Sequence, residues 1–341
     1  MKHLLNTLYV STQGAYLARE GETVAVRVEH ETKLRVPVHT LGGIVCFGQV
    51  SCSPPLLGLC AERGVAVSFL SEYGRFWASV HGPVSGNVLL RRAQYRRADA
   101  PDGSAELART MVVAKVANCR TVLLRAVRDG AGDGTALREA AAHLAALLKS
   151  LHKSAPLEVV RGLEGDAARC YFSVFDHLIT TQKEGFFFAG RSRRPPLDNL
   201  NALLSFVYTL LTHDMRSALE AAGLDPAVGC LHRDRPGRPG LALDMIEELR
   251  PVFADRLVLS LINRRQINAK GFTTTDTGAV AMDDDTRREV LVAWQKRKQE
   301  EVEHPFTGEK IAVGLVPHVQ AALLARHLRG DLDRYPPFLW R

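Results

Sequence analysis

Gly21-Glu-Thr-Val-Ala-Val-Arg-Val28 sets the character of the first part of this chain. Val24, Val26 and Val28 alternate with Ala25 and Arg27, the period-two pattern of a half-buried strand. Leu34 and Val36 repeat it between Lys33 and Arg35, and Gly21-Glu22 and Gly42-Gly43 punctuate the pattern. Pro54 to Arg63 reads as one short helix, with proline in its first turn and Gly64 at its end. Val65–Leu70 and Phe76–Val80 read as strands about a turn at Tyr73-Gly74, and Gly82-Pro83 closes a small β-rich domain over residues 1–83. Residues 84–104 read as a linker.

From about residue 88 the period becomes helical. Glu106–Arg128 and Thr135–His152 are amphipathic and meet at the glycine-rich turn Asp129–Gly134. Leu163, Ala167, Cys170, Tyr171 and Val174 keep helical spacing, as do Leu200, Leu203, Leu204, Val207, Leu210 and Leu211. Residues 223–240 form a loop dense in Gly, Pro and Arg. Pro251 ends one helix and starts another, a hairpin is expected within Gly271–Met282, and two further helices follow near 286–302 and 316–330. The fold class is α+β, with residues 105–341 an α-helical domain.

The chain has 341 residues, enough for two domains, and its net charge of +7 suits a polyanionic partner. Arginines gather at Arg91, Arg92, Arg96 and Arg97 around Tyr95, at Arg191, Arg193 and Arg194 after an aromatic run, and at Arg233, Arg235 and Arg238. Lys296, Arg297 and Lys298 form a fourth group. Such clusters neutralise phosphates when they act together, although each alone reads equally as solvated surface. The six cysteines form no CxxC pair, so buried free thiols are expected rather than a zinc knuckle or a redox motif. No apolar run approaches the roughly 20 residues a bilayer span needs, and a cytoplasmic protein is expected.

The chemistry gathers in Leu241-Ala-Leu-Asp-Met-Ile-Glu-Glu-Leu-Arg250, with His232 twelve residues before Asp244. On a regular helix Asp244, Glu247 and Glu248 share one face. Two readings stand side by side: a solvated acidic face, or a hard-cation site in which the carboxylates are joined by the imidazole. Glu164, within Arg161-Gly-Leu-Glu-Gly-Asp166, has the same two readings, a helix-start carboxylate or a site residue. Its flanking glycines point to close backbone approach. Asp283, Asp284 and Asp285 precede a helix and read as capping residues. Carboxylates and one imidazole among arginines suit Mg²⁺ or Mn²⁺ and phosphodiester chemistry, and the mixed donor set favours Mn²⁺.

At these residues the chain resembles the CRISPR-associated integrase-endonuclease of spacer acquisition, the universal Cas protein of adaptation. Phe69-Leu-Ser-Glu-Tyr-Gly-Arg-Phe76, Gly86-Asn-Val-Leu-Leu-Arg-Arg-Ala-Gln94 and Arg161-Gly-Leu-Glu-Gly165 are similar to the family's segments. So are Arg193-Arg-Pro-Pro-Leu-Asp-Asn-Leu-Asn-Ala-Leu-Leu-Ser205, Leu243-Asp-Met-Ile-Glu-Glu-Leu-Arg-Pro251 and Arg334-Tyr-Pro-Pro-Phe338. The resemblance implies a β-sandwich-like amino-terminal domain that dimerises and an all-α catalytic domain. It implies a small companion protein of ferredoxin-like fold, and DNA partners: foreign fragments and the CRISPR repeat. It implies catalytic residues Glu164, His232, Asp244 and Glu247, with Glu164, His232 and Glu247 ligating Mn²⁺ or Mg²⁺. Members often carry Asp at the third ligand; here Glu247 stands there with Glu248 beside it. Arg193, Arg194, Arg233, Arg235, Arg238 and Arg250 are the expected DNA contacts. A DNA-holding subunit without catalysis and a metal-dependent hydrolase of small phosphoesters are the rival functions.

Overall fold

The computed structural model describes residues 7–71, 76–80, 82, 88–193 and 195–340. The turn at Tyr73-Gly74, Pro83, the start of the expected linker and Arg194 lie outside the described residues.

The chain divides into two compact units, the first comprising residues 1–86, 284–300 and 312–315 and the second the remainder. The first unit holds β1 (Thr7–Val10), β2 (Tyr16–Glu20), β3 (Thr23–Val28), β4 (Glu31–Pro37), β5 (Gly43–Phe47) and β6 (Ser51–Cys52). Helix α1 (Pro54–Glu62), β7 (Ala66–Leu70) and β8 (Phe76–Val80) follow. One sheet has the order β1-β5-β7-β8 with its first three strands parallel; the other runs β4-β3-β2-β6. Val10 and Ile44 from the first sheet and Leu17, Val24 and Val26 from the second share one core with Leu56 and Leu59 of α1. Burial of that apolar surface is what joins two sheets and a helix into a unit.

The alternation read in β3 holds for Val24 and Val26, but Ala25 is buried as well, because β3 is an interior strand and alanine adds little bulk to its second face. Strand β4 is the edge of its sheet, which leaves Leu34 exposed rather than half-buried. Ser53 caps α1 by accepting the Leu56 N–H, and Gly64 follows with φ +68°, which a residue with a Cβ adopts only under strain.

The second unit begins with α2 (Val88–Asp99), so part of the expected linker is helical. It continues with α3 (Pro101–Arg128), α4 (Gly134–Leu151), α5 (Leu157–Ser173), α6 (Asn199–Ala221), α7 (Gly240–Ile246) and α8 (Arg256–Asn263). A hairpin of β9 (Phe272–Thr274) and β10 (Val280–Met282) follows α8. Helix α9 (Asp284–Gln299) belongs to the first unit, and α10 (Val316–Arg329) to the second. The long α3 packs against α4, α5 and the turn after α7. Among the described residues no helix is long and apolar enough to cross a membrane.

Between α7 and α8 the backbone changes pitch twice. The Glu247 N–H bonds Asp244 O and the Leu249 N–H bonds Ile246 O, three-residue spacings that tighten the end of α7. One π-helical turn, Arg250–Asp255, then carries Pro251 near its start, where the missing N–H costs little. In the tightened turn residues three apart eclipse. Asp244, Glu247 and Arg250 therefore line one side and Glu248 points elsewhere. This corrects the expectation of three carboxylates on one face.

Candidate metal centre

Glu164 lies in the middle of α5, not at a helix start, so the capping account of it does not hold. One turn earlier on the same helix, Arg161 Nε donates to Leu231 O at 2.6 Å and ties the His232 loop to α5. On the loop's other side Gly229 and Gly240 press together. A Cβ on Gly229 would lie 2.5 Å from Asp244 Oδ2 and 2.7 Å from the Gly240 carbonyl carbon. These are close backbone approaches, unlike Gly162, beside which a Cβ would meet nothing within 4 Å.

Asp244 has no exposed surface. Its carboxylate accepts the backbone N–H groups of Cys230, Leu231 and His232 at 2.6, 2.8 and 2.9 Å, and His232 Nδ1 stands 2.6 Å from Oδ1. Because Asp244 only accepts here, Nδ1 carries a proton, which leaves Nε2 as the nitrogen that faces outward. Nε2 lies 3.9 Å from Glu247 Oε1. Glu247 is buried and is held by two cations: Arg250 Nη1 on Oε1, and Lys115 Nζ 2.7 Å from Oε2. Lys115 also pairs with Glu164. One ammonium thus bridges carboxylates from α5 and from the end of α7. Burial opposes the charge on Glu247, but Arg250, Lys115 and His232 outweigh it and hold the carboxyl down at about 2. Burial likewise works against the Lys115 charge, and Glu247 and Glu164 reverse it, so the ammonium stays protonated.

The donor set fits a hard divalent cation: two carboxylates and one imidazole nitrogen, with Glu164 and His232 partly open to solvent. Glu247 Oε2 is buried without a hydrogen bond of good geometry, even though Lys115 Nζ is close, so it keeps a lone pair to offer. Among the described residues, no three acidic, His or Cys side chains yet converge as a ready coordination cage. Lys115 and Arg250 engage the carboxylates instead.

Glu248 belongs to a different construction. Its buried carboxylate accepts from Tyr335 Oη at 2.7 Å, Gln320 Nε2 at 2.8 Å and the Phe338 N–H at 3.0 Å. Asn118 Nδ2 donates to both Glu248 O and Phe338 O. Trp340 lies between the Arg125 and Arg256 guanidinium groups, 3.6 and 4.2 Å from its ring centre. Glu248 is a clamp for the carboxy-terminal tail.

The expected DNA contacts divide. Arg193 and Arg235 are exposed, Arg233 is exposed and pairs with Glu158 at 3.2 Å, and Arg238 is half-buried with Nη1 3.4 Å from Arg233 O. Arg250 turns inward, which corrects its expected role as a DNA contact: its side chain is 15% exposed, bound to Glu247 and 5.1 Å from the Tyr208 ring centre. Arg191 is likewise internal, donating to Asn201 Oδ1 and Ser205 Oγ. In the basic group near residue 297, Lys298 is buried against Thr7 Oγ1 and Arg297 pairs with Glu300. All six cysteines are free thiols.

Sequence reasoning passed over Lys115, Arg161 and Gly229. Lys115 had a readable signal. It follows Met111 by four residues and precedes Cys119 by four on the buried stripe of α3, where a charge needs a partner.

The family model for CRISPR associated protein Cas1 matches residues 8–296. The CRISPR-associated endonuclease Cas1 1 of Chlorobaculum tepidum is 61% identical, with both chains covered in full. The structure of a Cas1 protein from Thermotoga maritima superposes with a TM-score of 0.83 at 24% identity, covering 98% of this chain and 100% of that one. A casposase bound to integration product gives a TM-score of 0.83 at 21% identity, covering 96% and 92%. At those identities the two structures speak for the fold.

Proposed function

This chain belongs to the CRISPR-associated Cas1 family, and from that premise we propose that it is a divalent-metal-dependent DNA endonuclease and integrase. It inserts captured foreign DNA as new spacers into a CRISPR array. The observation that carries the reading is that one ammonium, Lys115, pairs with both Glu164 of α5 and Glu247 at the end of α7, while His232 Nε2 of the preceding loop stands 3.9 Å from Glu247 Oε1.

Glu164, His232 and Glu247 would hold Mn²⁺ or Mg²⁺. When bound, the ion polarises the scissile phosphate and offsets charge on the attacking and leaving oxygens. Asp244 fixes the tautomer and ring angle of His232, so that Nε2 is the ligating nitrogen. Arg250 holds Glu247 in place and keeps it ionised, as a ligand must be. In the reaction the 3′-hydroxyl oxygen of the incoming strand bonds to phosphorus at the repeat border, and the bond from phosphorus to the repeat's own 3′-oxygen breaks. The attacking hydroxyl loses its proton and the departing oxygen gains one. With water as nucleophile the same exchange is hydrolysis. Exposed Arg193, Arg233 and Arg235, with Arg238, would contact phosphates along the DNA.

The protein acts in the cytoplasm as a homodimer through its β-rich residues 1–83, with catalysis in residues 105–341. It works beside a small companion of ferredoxin-like fold. The test is strand transfer and nicking by purified protein over a Mn²⁺ and Mg²⁺ titration. Glu164→Ala and His232→Ala are expected to abolish both activities while leaving circular dichroism unchanged. Full activity in either variant refutes the assignment.

A further inference from the structure

Lys115 and Arg250 divide the oxygens of Glu247 between them, but they are built differently. Arg250 is fixed: it pairs with Glu247 three residues away along the chain, and Tyr208 flanks its guanidinium. Lys115 reaches in from α3 on a flexible stem, and its ammonium touches carboxylates on two other elements. Its side chain is only 11% exposed and Glu247's 3%, so removing the ammonium would leave Glu164 and buried Glu247 facing each other with one less charge between them.

We propose that Lys115 is a resident counter-cation of the metal centre, whose ammonium occupies the position shared by Glu164 and Glu247 and must leave it when a divalent ion binds both. The inference rests on the metal-centre reading above. It gives Lys115 two consequences that ordinary packing lacks. The metal-free site is held together by an internal positive charge, and that same charge competes with the divalent ion. Divalent affinity is then lower than the donor set alone would give, and the ion exchanges more readily.

The experiment is Mn²⁺ binding by the full chain, followed by the electron paramagnetic resonance signal of free Mn²⁺, for wild type, Lys115→Met, Lys115→Gln, Lys115→Arg and Glu164→Ala. Thermal unfolding of each is recorded with EDTA and with Mn²⁺. Removing a unit charge at contact distance is expected to tighten Mn²⁺ binding by about tenfold or more in both neutral variants, and not in Lys115→Arg. Without metal, Lys115→Met is expected to melt below wild type, and Mn²⁺ to raise its melting temperature by more than it raises that of wild type. Equal or weaker Mn²⁺ binding by both neutral variants overturns the proposal. So does a melting deficit that Mn²⁺ leaves unchanged. Should wild type and Glu164→Ala bind Mn²⁺ alike, the metal-centre reading falls and this inference falls with it.

Discussion

Asp244 Oδ1 stands 2.6 Å from His232 Nδ1, and the same carboxylate receives the N–H groups of three consecutive loop residues. The aspartate therefore sets both the path of the loop and the chemical identity of the imidazole's outward nitrogen. Asp244→Asn presents an NH₂ to a ring of donors. It is expected to destabilise the protein by about 2–4 kcal/mol, through unsatisfied buried donors. Mn²⁺ affinity is expected to fall about 10–100-fold, as when a partner behind a ligating histidine is lost. Urea unfolding and metal titration check the two effects separately.

The glycines of the site are expected to respond in opposite ways. Gly229→Ala drives a methyl group against Asp244 and Gly240 and should cost about 1–3 kcal/mol. Gly162 is exposed on α5 with open space beside it. Gly162→Ala should stabilise the helix by about 0.5–1 kcal/mol. If DNA backbone packs against this face, Gly162→Ala will melt higher yet bind DNA more weakly. Thermal unfolding paired with DNA binding at fixed salt tests this.

Cutting the chain after Arg334 removes Tyr335, Phe338 and Trp340 from around Glu248 and Asn118. A buried carboxylate then loses two of its three donors. We expect a loss of about 3–5 kcal/mol, on the scale of breaking a buried charged pair. Tyr335→Phe removes one hydroxyl and should cost about 1–2 kcal/mol. Equal stability of the truncated and full chains would contradict the clamp.

Asp255 is buried between Tyr208 Oη at 2.6 Å and Tyr171 Oη at 3.1 Å, and burial outweighs those two hydrogen bonds and raises its carboxyl from 3.8 to about 6. A folded-state value above the unfolded one means that folding favours the protonated acid. That contribution is whole below about pH 4 and is lost as pH rises through about 6, a change of about 3 kcal/mol for two units. Asp255→Asn keeps the shape and cannot ionise; one tyrosine hydroxyl goes on donating to its amide oxygen, and the other can rotate to accept from its NH₂. Its unfolding free energy, measured against wild type from pH 4 to 7, should lack this part of the slope.

The β-rich beginning, the helical remainder and most element boundaries were legible in the sequence, since period and punctuation are local properties. Pro54 in the first turn of α1 and Gly64 after its end are examples. The identities of Glu164, His232 and Glu247 as candidates were also present, although their meaning came from motifs spread over the chain. Three things were not local. The tightened end of α7 rotated Glu248 away from Glu247 and onto the tail. Arg250 turned inward because Glu247 and Tyr208 offered it a charge and a ring. Lys115, 49 residues from Glu164 and farther still from Glu247, met both only because α3 packs against α5 and the turn after α7. Sequence alone determined which groups this protein has for chemistry, because side-chain type and spacing are written in it. Which charges face one another was decided by tertiary packing, because a buried charge takes the partner that the fold brings within about 3 Å, however distant in the chain.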